Sequence, residues 1–184
     1  MVQRKRFRHH AFCFVLLALQ APGLALACDG PKQVQEATPS AVQQMVRDSG
    51  KHVLTFVGYS GAGYEFPQIM KQQALQVLAK KDPATTLINI GATAEGIGAV
   101  YDLAKQKGFT TIGIVSSLAR DISVPLSSCV DKVFFVKDSS WGGTLPGTRQ
   151  LSPTSAAIVA SGDVVVAIGG VDVARESPLA GDTY

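Results

Sequence analysis

Residues 161–176 read SGDVVVAIGGVDVARE, and this stretch decides the fold. The β-branched run Val164–Ile168 passes directly into Gly169 and Gly170, and the acidic residue Glu176 follows six positions later. Such a run predicts a buried parallel strand whose carboxyl end opens onto a helix. Glycines at that junction let backbone amides approach a ligand, and helix amino termini favour anions. The stretch therefore predicts an anion-binding corner of an α/β sheet.

The same order of strand, glycine loop and helix occurs upstream, in residues 86–98, TLINIGATAEGIG. Further strands are predicted over 52–57, 110–115 and 132–136. Helices are predicted from Pro39 to Gly50, with Thr38 as N-cap, and over 68–80, 97–106 and 153–160, with Ile69 on the buried face of the second. Strands alternating with helices at this spacing predict a single-domain, Rossmann-like open parallel sheet with helices on both faces.

The first 27 residues have the pattern of a signal peptide. Four basic residues precede the apolar segment 11–19, and Ala25-Leu26-Ala27 provides small residues for cleavage after Ala27. Without this segment, Lys and Arg fall from 17 to 13 against 14 Asp and Glu, so the formal net charge changes from +3 to −1. The basic balance therefore gives no indication of nucleic-acid binding. We expect a periplasmic or cell-envelope protein.

Two cysteines, Cys28 and Cys129, remain after such a cleavage, and they leave two interpretations open. An oxidising compartment would allow a disulfide between them. Alternatively, Cys28 follows a sequence that loosely resembles a lipobox, and a lipid on it would anchor the protein to a membrane. In either case residues 28–37 are predicted to be a linker, and residues 38–184 the folded domain.

Two segments resemble the Lonely-guy (LOG) and molybdenum-cofactor-carrier superfamily. Residues 88–117, INIGATAEGIGAVYDLAKQKGFTTIGIVSS, are similar to its second βαβ unit. Residues 163–176, DVVVAIGGVDVARE, are similar to the strand that leads into its Pro-Gly-Gly-x-Gly-Thr-x-x-Glu motif. The resemblance covers roughly residues 52–177 and implies a Rossmann-like fold in a divergent, exported member.

The motif is incomplete in this chain. Asp172 stands in place of the third glycine, Val173 in place of the threonine, and Thr154 at the position of an arginine that the family's phosphoribohydrolases use. An arginine there would hold a phosphate, whereas Asp172 adds a negative charge. Glu176 matches the family's glutamate, which implies either a catalytic acid or base for glycosidic-bond hydrolysis or a residue that recognises the ribose. A further alternative is an acidic residue that is favoured only by the helix dipole.

Ligands of open parallel sheets bind at the carboxyl ends of the strands, which selects the candidate binding residues. Most are glycines and small hydroxyl residues that bring backbone amides or hydroxyl groups to an anion. Trp141, in a loop rich in glycine and proline, either stacks on a ligand ring or packs against the protein. No metal-ligand cluster, cofactor motif or phosphate-binding P-loop is evident. The candidates are Gly58, Ser60, Gly61, Gly91, Thr93, Gly96, Gly98, Ser152, Thr154, Ser155, Gly169 and Gly170.

Three functions follow as hypotheses. The first is an exported binding protein for a nucleotide or another small phosphorylated ligand. The second is an N-glycosidic hydrolase that releases the base from a nucleoside monophosphate, with Glu176 assisting. The third is an envelope scaffold with a vestigial pocket. Because the chain stops soon after Glu176, the signature helix is short, and homodimerisation is expected to cover the exposed sheet edge.

Overall fold

The computed structural model describes residues 28–61 and 63–169. In these ranges six strands alternate with helices, and a short 3₁₀ helix (Gly96–Ala99) precedes the third α-helix. The strands are β1 (Gln33–Ala37), β2 (His52–Gly58), β3 (Thr86–Asn89), β4 (Thr110–Ser116), β5 (Lys132–Val136) and β6 (Val164–Ile168). The helices are α1 (Pro39–Ser49), α2 (Pro67–Leu78), α3 (Val100–Gln106), α4 (Ser117–Asp121) and α5 (Pro153–Ser161).

The six strands form one sheet in the order β1-β5-β4-β3-β2-β6, and every neighbouring pair is parallel. Helices cover both faces. One core cluster joins α2 and α3 to the sheet through residues such as Met70 and Tyr101, and the other joins α1 and α5 through Val42 and Ala157. The predicted Rossmann-like architecture is confirmed.

Helix boundaries follow local capping. Thr38 accepts a hydrogen bond from the amide of Ala41 and begins α1, and Gly50 ends it at φ +63°. Ser152 likewise accepts from the amide of Ser155 and begins α5, with Pro153 at the first position. The prediction that Ile69 is buried on α2 is wrong, because its side chain is 52% exposed.

The predicted linker over residues 28–37 is also wrong, because Gln33–Ala37 forms β1 and pairs with β5. Its residues are mostly polar and exposed since β1 is an edge strand, and the sequence therefore lacked the apolar signal of a central strand. A disulfide between Cys28 and Cys129 joins the segments that precede β1 and β5. Residues 28–37 thus belong to the folded domain.

The strand Val164–Ile168 has the predicted bounds and parallel direction but is not fully buried. Among the described strands it pairs only with β2, and Val164 is 39% exposed. Its outer edge therefore has no partner within residues 28–61 and 63–169, and the homodimer that would cover it stays a prediction. Within the same ranges, no helix combines the length and hydropathy that a membrane span requires.

The topology also locates a crevice at the carboxyl edge of the sheet. The connection after β4 leads into α4, whose Ala119 packs with the core on the α2 and α3 face. The connection after β5 leads into α5 on the opposite face. Neighbouring strands whose connections leave to opposite faces open a crevice between them, which is where ligands of such sheets bind.

Candidate functional site

A cavity of about 530 Å³ lies at this edge, at the carboxyl ends of β2, β3 and β4. The loops after these three strands form its walls, together with the first turns of α5 and the loop that carries Trp141. Pockets of this size accommodate small organic ligands. The cavity is therefore the candidate binding site.

The cavity brings together six of the residues predicted from the sequence, namely Gly58, Ser60, Gly61, Gly91, Thr93 and Thr154. Five others lie within the described ranges but not on the cavity wall, namely Gly96, Gly98, Ser152, Ser155 and Gly169. Gly170 and Glu176 lie outside the described residues. No mechanism can therefore be derived for the predicted hydrolase, whose acid or base would be Glu176.

The loop after β2 is closed by a tyrosine. The Tyr64 hydroxyl accepts a hydrogen bond from the amide of Tyr59 at 3.1 Å and donates to the carbonyl of Ile168. A Cβ on Gly58 would lie 2.0 Å from the Tyr64 hydroxyl and 2.5 Å from the Ile168 carbonyl oxygen. Only glycine fits at position 58, and the Tyr64 side chain holds the carboxyl ends of β2 and β6 together.

The loop after β3 is held by another buried tyrosine. The Tyr101 hydroxyl accepts from the amides of Ile90 and Ala92, at 3.1 and 3.0 Å, and donates to the carbonyl of Ile112 at 2.7 Å. Burial raises the pKa of Tyr101 above its ordinary value, and the two amide hydrogen bonds only partly offset this. The hydroxyl therefore stays protonated and supports the backbone of Gly91 and Ala92, which turns through positive φ angles.

The two predicted phosphate-cradle glycines that do not line the cavity have a packing role. A Cβ on Gly96 would lie 2.2 Å from the carbonyl oxygen of Tyr59, and one on Gly98 would lie 2.2 Å from that of Thr93. The amide of Ile97 also donates to the Tyr59 carbonyl at 2.7 Å. Gly96 therefore lets the loop after β3 pack directly on the loop after β2, and Gly98 lets the loop after β3 fold tightly on itself.

The two loops also carry unpaired backbone amides at the cavity. Three of the residues that line the cavity, Ser60, Gly61 and Thr93, have amides that donate to no group in residues 28–61 and 63–169. The Ala94 amide is not counted with them, because Thr93 forms an antiparallel bridge with Leu126 whose hydrogen bonds involve the amides of Ser127 and Ala94. Clustered free amides are the backbone feature that binds anions in proteins. This part of the cavity wall can therefore bind a phosphate or carboxylate group.

The start of α5, in contrast, is already bound by a carboxylate of the protein itself. The Asp138 carboxylate accepts from the Thr154 amide at 2.9 Å and from the Ser140 amide and hydroxyl at 2.9 and 2.8 Å. Burial alone would raise the pKa of Asp138, but these hydrogen bonds outweigh it and lower the pKa to about 2. A ligand anion would have to displace this carboxylate, so we leave Ser152 and Ser155 out of the candidate site.

One hydroxyl at the start of α5 is only weakly hydrogen-bonded. Thr154 is 3% exposed, and its Oγ1 makes no hydrogen bond of normal geometry in the described part of the chain, although it lies near enough to the Asp138 carboxylate to help lower the pKa of Asp138. A buried hydroxyl without a well-formed hydrogen bond costs up to about 1–3 kcal/mol. Because Thr154 lines the cavity, a bound ligand can supply a better partner.

Sequence reasoning missed three positioning residues, Asp138, Tyr101 and Asn89. Asn89 is fully buried, and its side chain bonds the Thr55 hydroxyl at 3.3 Å and the Ile114 amide at 3.0 Å, linking β2, β3 and β4. A lone Asn between Ile88 and Ile90 was a usable signal, because buried polar groups require partners. Asp138 and Tyr101 gave no such signal, since their partners are distant in sequence.

The charge on the cavity wall is sparse. Among the described lining residues, Glu95 carries the one charged side chain, and it is exposed. Anion binding within this part of the wall therefore depends on amides and hydroxyl groups.

One cluster of metal-type ligands lies elsewhere. Ligand atoms of Cys28, Asp102 and Cys129 lie within 4.8 Å of one another, but the disulfide occupies both sulfurs. A metal ion would require thiolates, so this cluster does not bind one while the disulfide is formed.

No protein-family model matches the chain, and no curated protein matches it. Among solved structures, it is similar to the Moco carrier protein from Chlamydomonas reinhardtii, at 20% identity and a TM-score of 0.44, over 68% of this chain and 67% of that one. It is also similar to the molybdenum cofactor binding protein from the phototrophic bacterium Rippkaea orientalis, at 22% identity and a TM-score of 0.48, over 71% and 70%. The chemistry of the cavity has to be derived from this chain's own residues.

Proposed function

We propose that this protein binds a small phosphorylated molecule, with nucleotides as the first class to test, at the carboxyl edge of its sheet. The observation that supports this most strongly is that two loops bring to one cavity the amides of Ser60, Gly61 and Thr93, which have no acceptor within the described residues. Backbone amides suit a phosphate because they point several donors at it and need no cationic side chain.

The Thr154 hydroxyl adds a second contact. Thr154 lines the same cavity at the start of α5, and its buried oxygen makes no hydrogen bond of normal geometry within the described residues. A ligand hydroxyl or ring nitrogen that meets it would provide a well-formed hydrogen bond. A ligand that is phosphorylated at one end and polar at the other satisfies both groups.

Thermal unfolding of the oxidised protein with nucleoside monophosphates, matched nucleosides and inorganic phosphate tests the proposal. A ligand that binds only the folded state raises Tm. We expect millimolar nucleoside monophosphate to raise Tm by several degrees and the nucleoside to raise it less. If none of these compounds raises Tm, the binding proposal is wrong, and the scaffold hypothesis is favoured.

A pair of variants separates a binding role of Thr154 from a structural one. Thr154→Val removes the hydroxyl, so the Tm increase with ligand should be smaller than in the wild-type protein. Ser161, at the other end of α5, has a buried hydroxyl with no partner among the described residues and does not line the cavity. Ser161→Ala should therefore leave the ligand-induced increase unchanged. Equal increases in both variants would remove Thr154 from the site.

We also propose that the protein is exported to an oxidising compartment. The signal-peptide pattern of residues 1–27 and the disulfide between Cys28 and Cys129 support this, because structural disulfides persist mainly outside reducing cytosol. Intact-mass measurement of the envelope fraction after thiol alkylation tests it. We expect a chain that begins at Cys28 and has no alkylated thiol. A lipid mass on Cys28 with an alkylated Cys129 would contradict the disulfide and show anchoring.

A further inference from the structure

Trp141 is an exposed aromatic side chain at the mouth of the cavity. It is the single tryptophan of the chain, it is 59% exposed, and it lines the cavity. An indole ring that is left in water forgoes the large apolar burial that tryptophan usually achieves in folded proteins. Exposed aromatic surface beside a cavity commonly marks a contact with a ligand.

The backbone around Trp141 is fixed, so loop mobility does not explain the exposure. On the amino-terminal side, the amide and hydroxyl of Ser140 donate to the Asp138 carboxylate at 2.9 and 2.8 Å. On the carboxyl-terminal side, the amide of Gly142 donates to the Ser140 hydroxyl at 3.3 Å, and the amide of Gly143 to the Ser155 hydroxyl at 2.7 Å. The fold therefore fixes the backbone that carries the indole, and keeps this side chain beside the cavity.

The rest of this part of the wall is apolar. It consists of small and aliphatic residues from α4, the following loop and α5, namely Ala119, Val124, Pro125, Leu126 and Ile158. Apolar walls and an exposed indole suit a flat ring, because stacking on an aromatic face adds to the gain from apolar burial. The Thr93 amide, which has no acceptor among the described residues, belongs to the same cavity.

We propose that Trp141 stacks on a flat heteroaromatic ring of the ligand, so that the cavity selects ring-bearing phosphates over phosphates that lack a ring. This inference rests on the proposed function, since it assigns the class of molecule that the phosphate-binding cavity takes. The apolar wall and the indole form the ring subsite, and the amides form the phosphate subsite.

Because Trp141 is the single tryptophan, its fluorescence reports on the ring subsite without interference. The experiment titrates the oxidised protein with a nucleoside monophosphate and with ribose 5-phosphate, which carries the sugar and the phosphate but no ring. We expect the nucleoside monophosphate to quench the fluorescence of Trp141. It should bind about tenfold more tightly than ribose 5-phosphate, since this is a typical contribution of base stacking. Ribose 5-phosphate should raise Tm without quenching.

Two variants complete the test. Trp141→Leu should lower the affinity for the nucleoside monophosphate about tenfold and leave the affinity for ribose 5-phosphate unchanged. Phe66, an aromatic residue that is 61% exposed and does not line the cavity, provides the matched control, so Phe66→Leu should change neither affinity. Since both side chains are exposed, both variants should fold.

The outcomes separate the two proposals. If both phosphates bind equally well and Trp141→Leu changes nothing, the ring subsite is wrong, while the phosphate-binding function stands. If neither phosphate binds, both proposals are wrong. If a nucleoside without phosphate quenches Trp141 and binds as tightly as its monophosphate, the ring subsite is supported and the phosphate subsite is contradicted.

Discussion

The carboxylate of Asp138 accepts a hydrogen bond from the backbone amide of Thr154 at 2.9 Å, and this contact fastens the loop after β5 to the first turn of α5. The Asp138 carbonyl also accepts from the Ser116 hydroxyl at 2.9 Å, at the end of β4. One residue thus connects three walls of the cavity and positions the loop that carries Trp141.

Asp138→Asn should destabilise the protein at neutral pH by about 1–2 kcal/mol, because the neutral amide is a weaker acceptor for the Thr154 and Ser140 donors. The folded-state pKa of Asp138 is about 2, below its ordinary value of 3.8. Its stabilising contribution is therefore fully present above about pH 4 and is lost as the pH falls toward 2. Chemical denaturation between pH 2 and 7 should show that the free energies of unfolding of the wild-type protein and of Asp138→Asn become equal at low pH.

Asp121 provides the control for this measurement, because it is exposed and lies outside the cavity. Asp121→Asn should change stability little at any pH. A difference between wild type and Asp138→Asn that stays constant down to pH 2 would contradict the assigned role of the carboxylate.

Tyr101→Phe should destabilise the fold by about 2 kcal/mol or more, because it leaves the buried amides of Ile90 and Ala92 without their acceptor. The loop after β3 should loosen as well, so ligand binding should weaken. Urea unfolding measures the first effect and fluorescence titration the second. Tyr59→Phe is the control, since the Tyr59 hydroxyl makes no hydrogen bond within residues 28–61 and 63–169. Equal stability of the two variants would contradict the network.

Glu95→Gln should strengthen the binding of a phosphorylated ligand by a few-fold. Glu95 is an exposed carboxylate on the cavity wall, and two unit charges about 4 Å apart in water repel by about 1 kcal/mol. This gain in affinity should be smaller in high salt, because salt already screens the repulsion between the Glu95 carboxylate and the phosphate in the wild-type protein. Glu65→Gln, on an exposed residue that does not line the cavity, should have no such effect. Weaker binding by Glu95→Gln would show that the carboxylate contacts the ligand favourably.

Replacing both cysteines by serine should cost about 2–4 kcal/mol of stability, because the disulfide closes a long loop. The sequence separation of Cys28 and Cys129 is 101 residues. The disulfide ties the segment before β1 to the segment before β5, and β1 is an edge strand. Without the disulfide, amide hydrogen exchange should therefore accelerate first in β1, while β4 stays protected. Reduction of the wild-type protein should give the same pattern. Unchanged exchange in β1 would mean that the disulfide does not hold this strand.

The sequence predicted the fold well where the physical signal is local. The apolar run Val164–Ile168 and the caps Thr38 and Ser152 are signals that depend only on neighbouring residues. The elements that they mark, β6, α1 and α5, were therefore predicted close to their observed bounds. Strand β1 was missed because an edge strand does not need an apolar pattern. The burial of Ile69 was predicted from helical periodicity alone, which does not show where a neighbouring element ends.

The candidate site was predictable in part. Ser60 and Thr93 were predicted from their place after parallel strands, and both line the cavity, while their binding of a ligand stays a prediction. Gly96 belongs instead to the contact between the loops after β2 and β3, and Gly98 to a close contact within the loop after β3, and sequence spacing reveals neither contact. The role of Asp138 also depends on a partner 16 positions away, on another element. Such contacts arise only when the sheet brings its loops together.

The most direct test of phosphate binding is an NMR titration that follows the backbone amide signals of Ser60, Gly61 and Thr93 as nucleoside monophosphate is added. These signals should shift together, saturably and downfield, because each amide gains a charged hydrogen-bond acceptor. The amide signals of β1, at the far edge of the sheet, should not shift. If the three signals stay in place at saturating ligand, or if shifts occur only elsewhere, the proposed phosphate subsite is wrong.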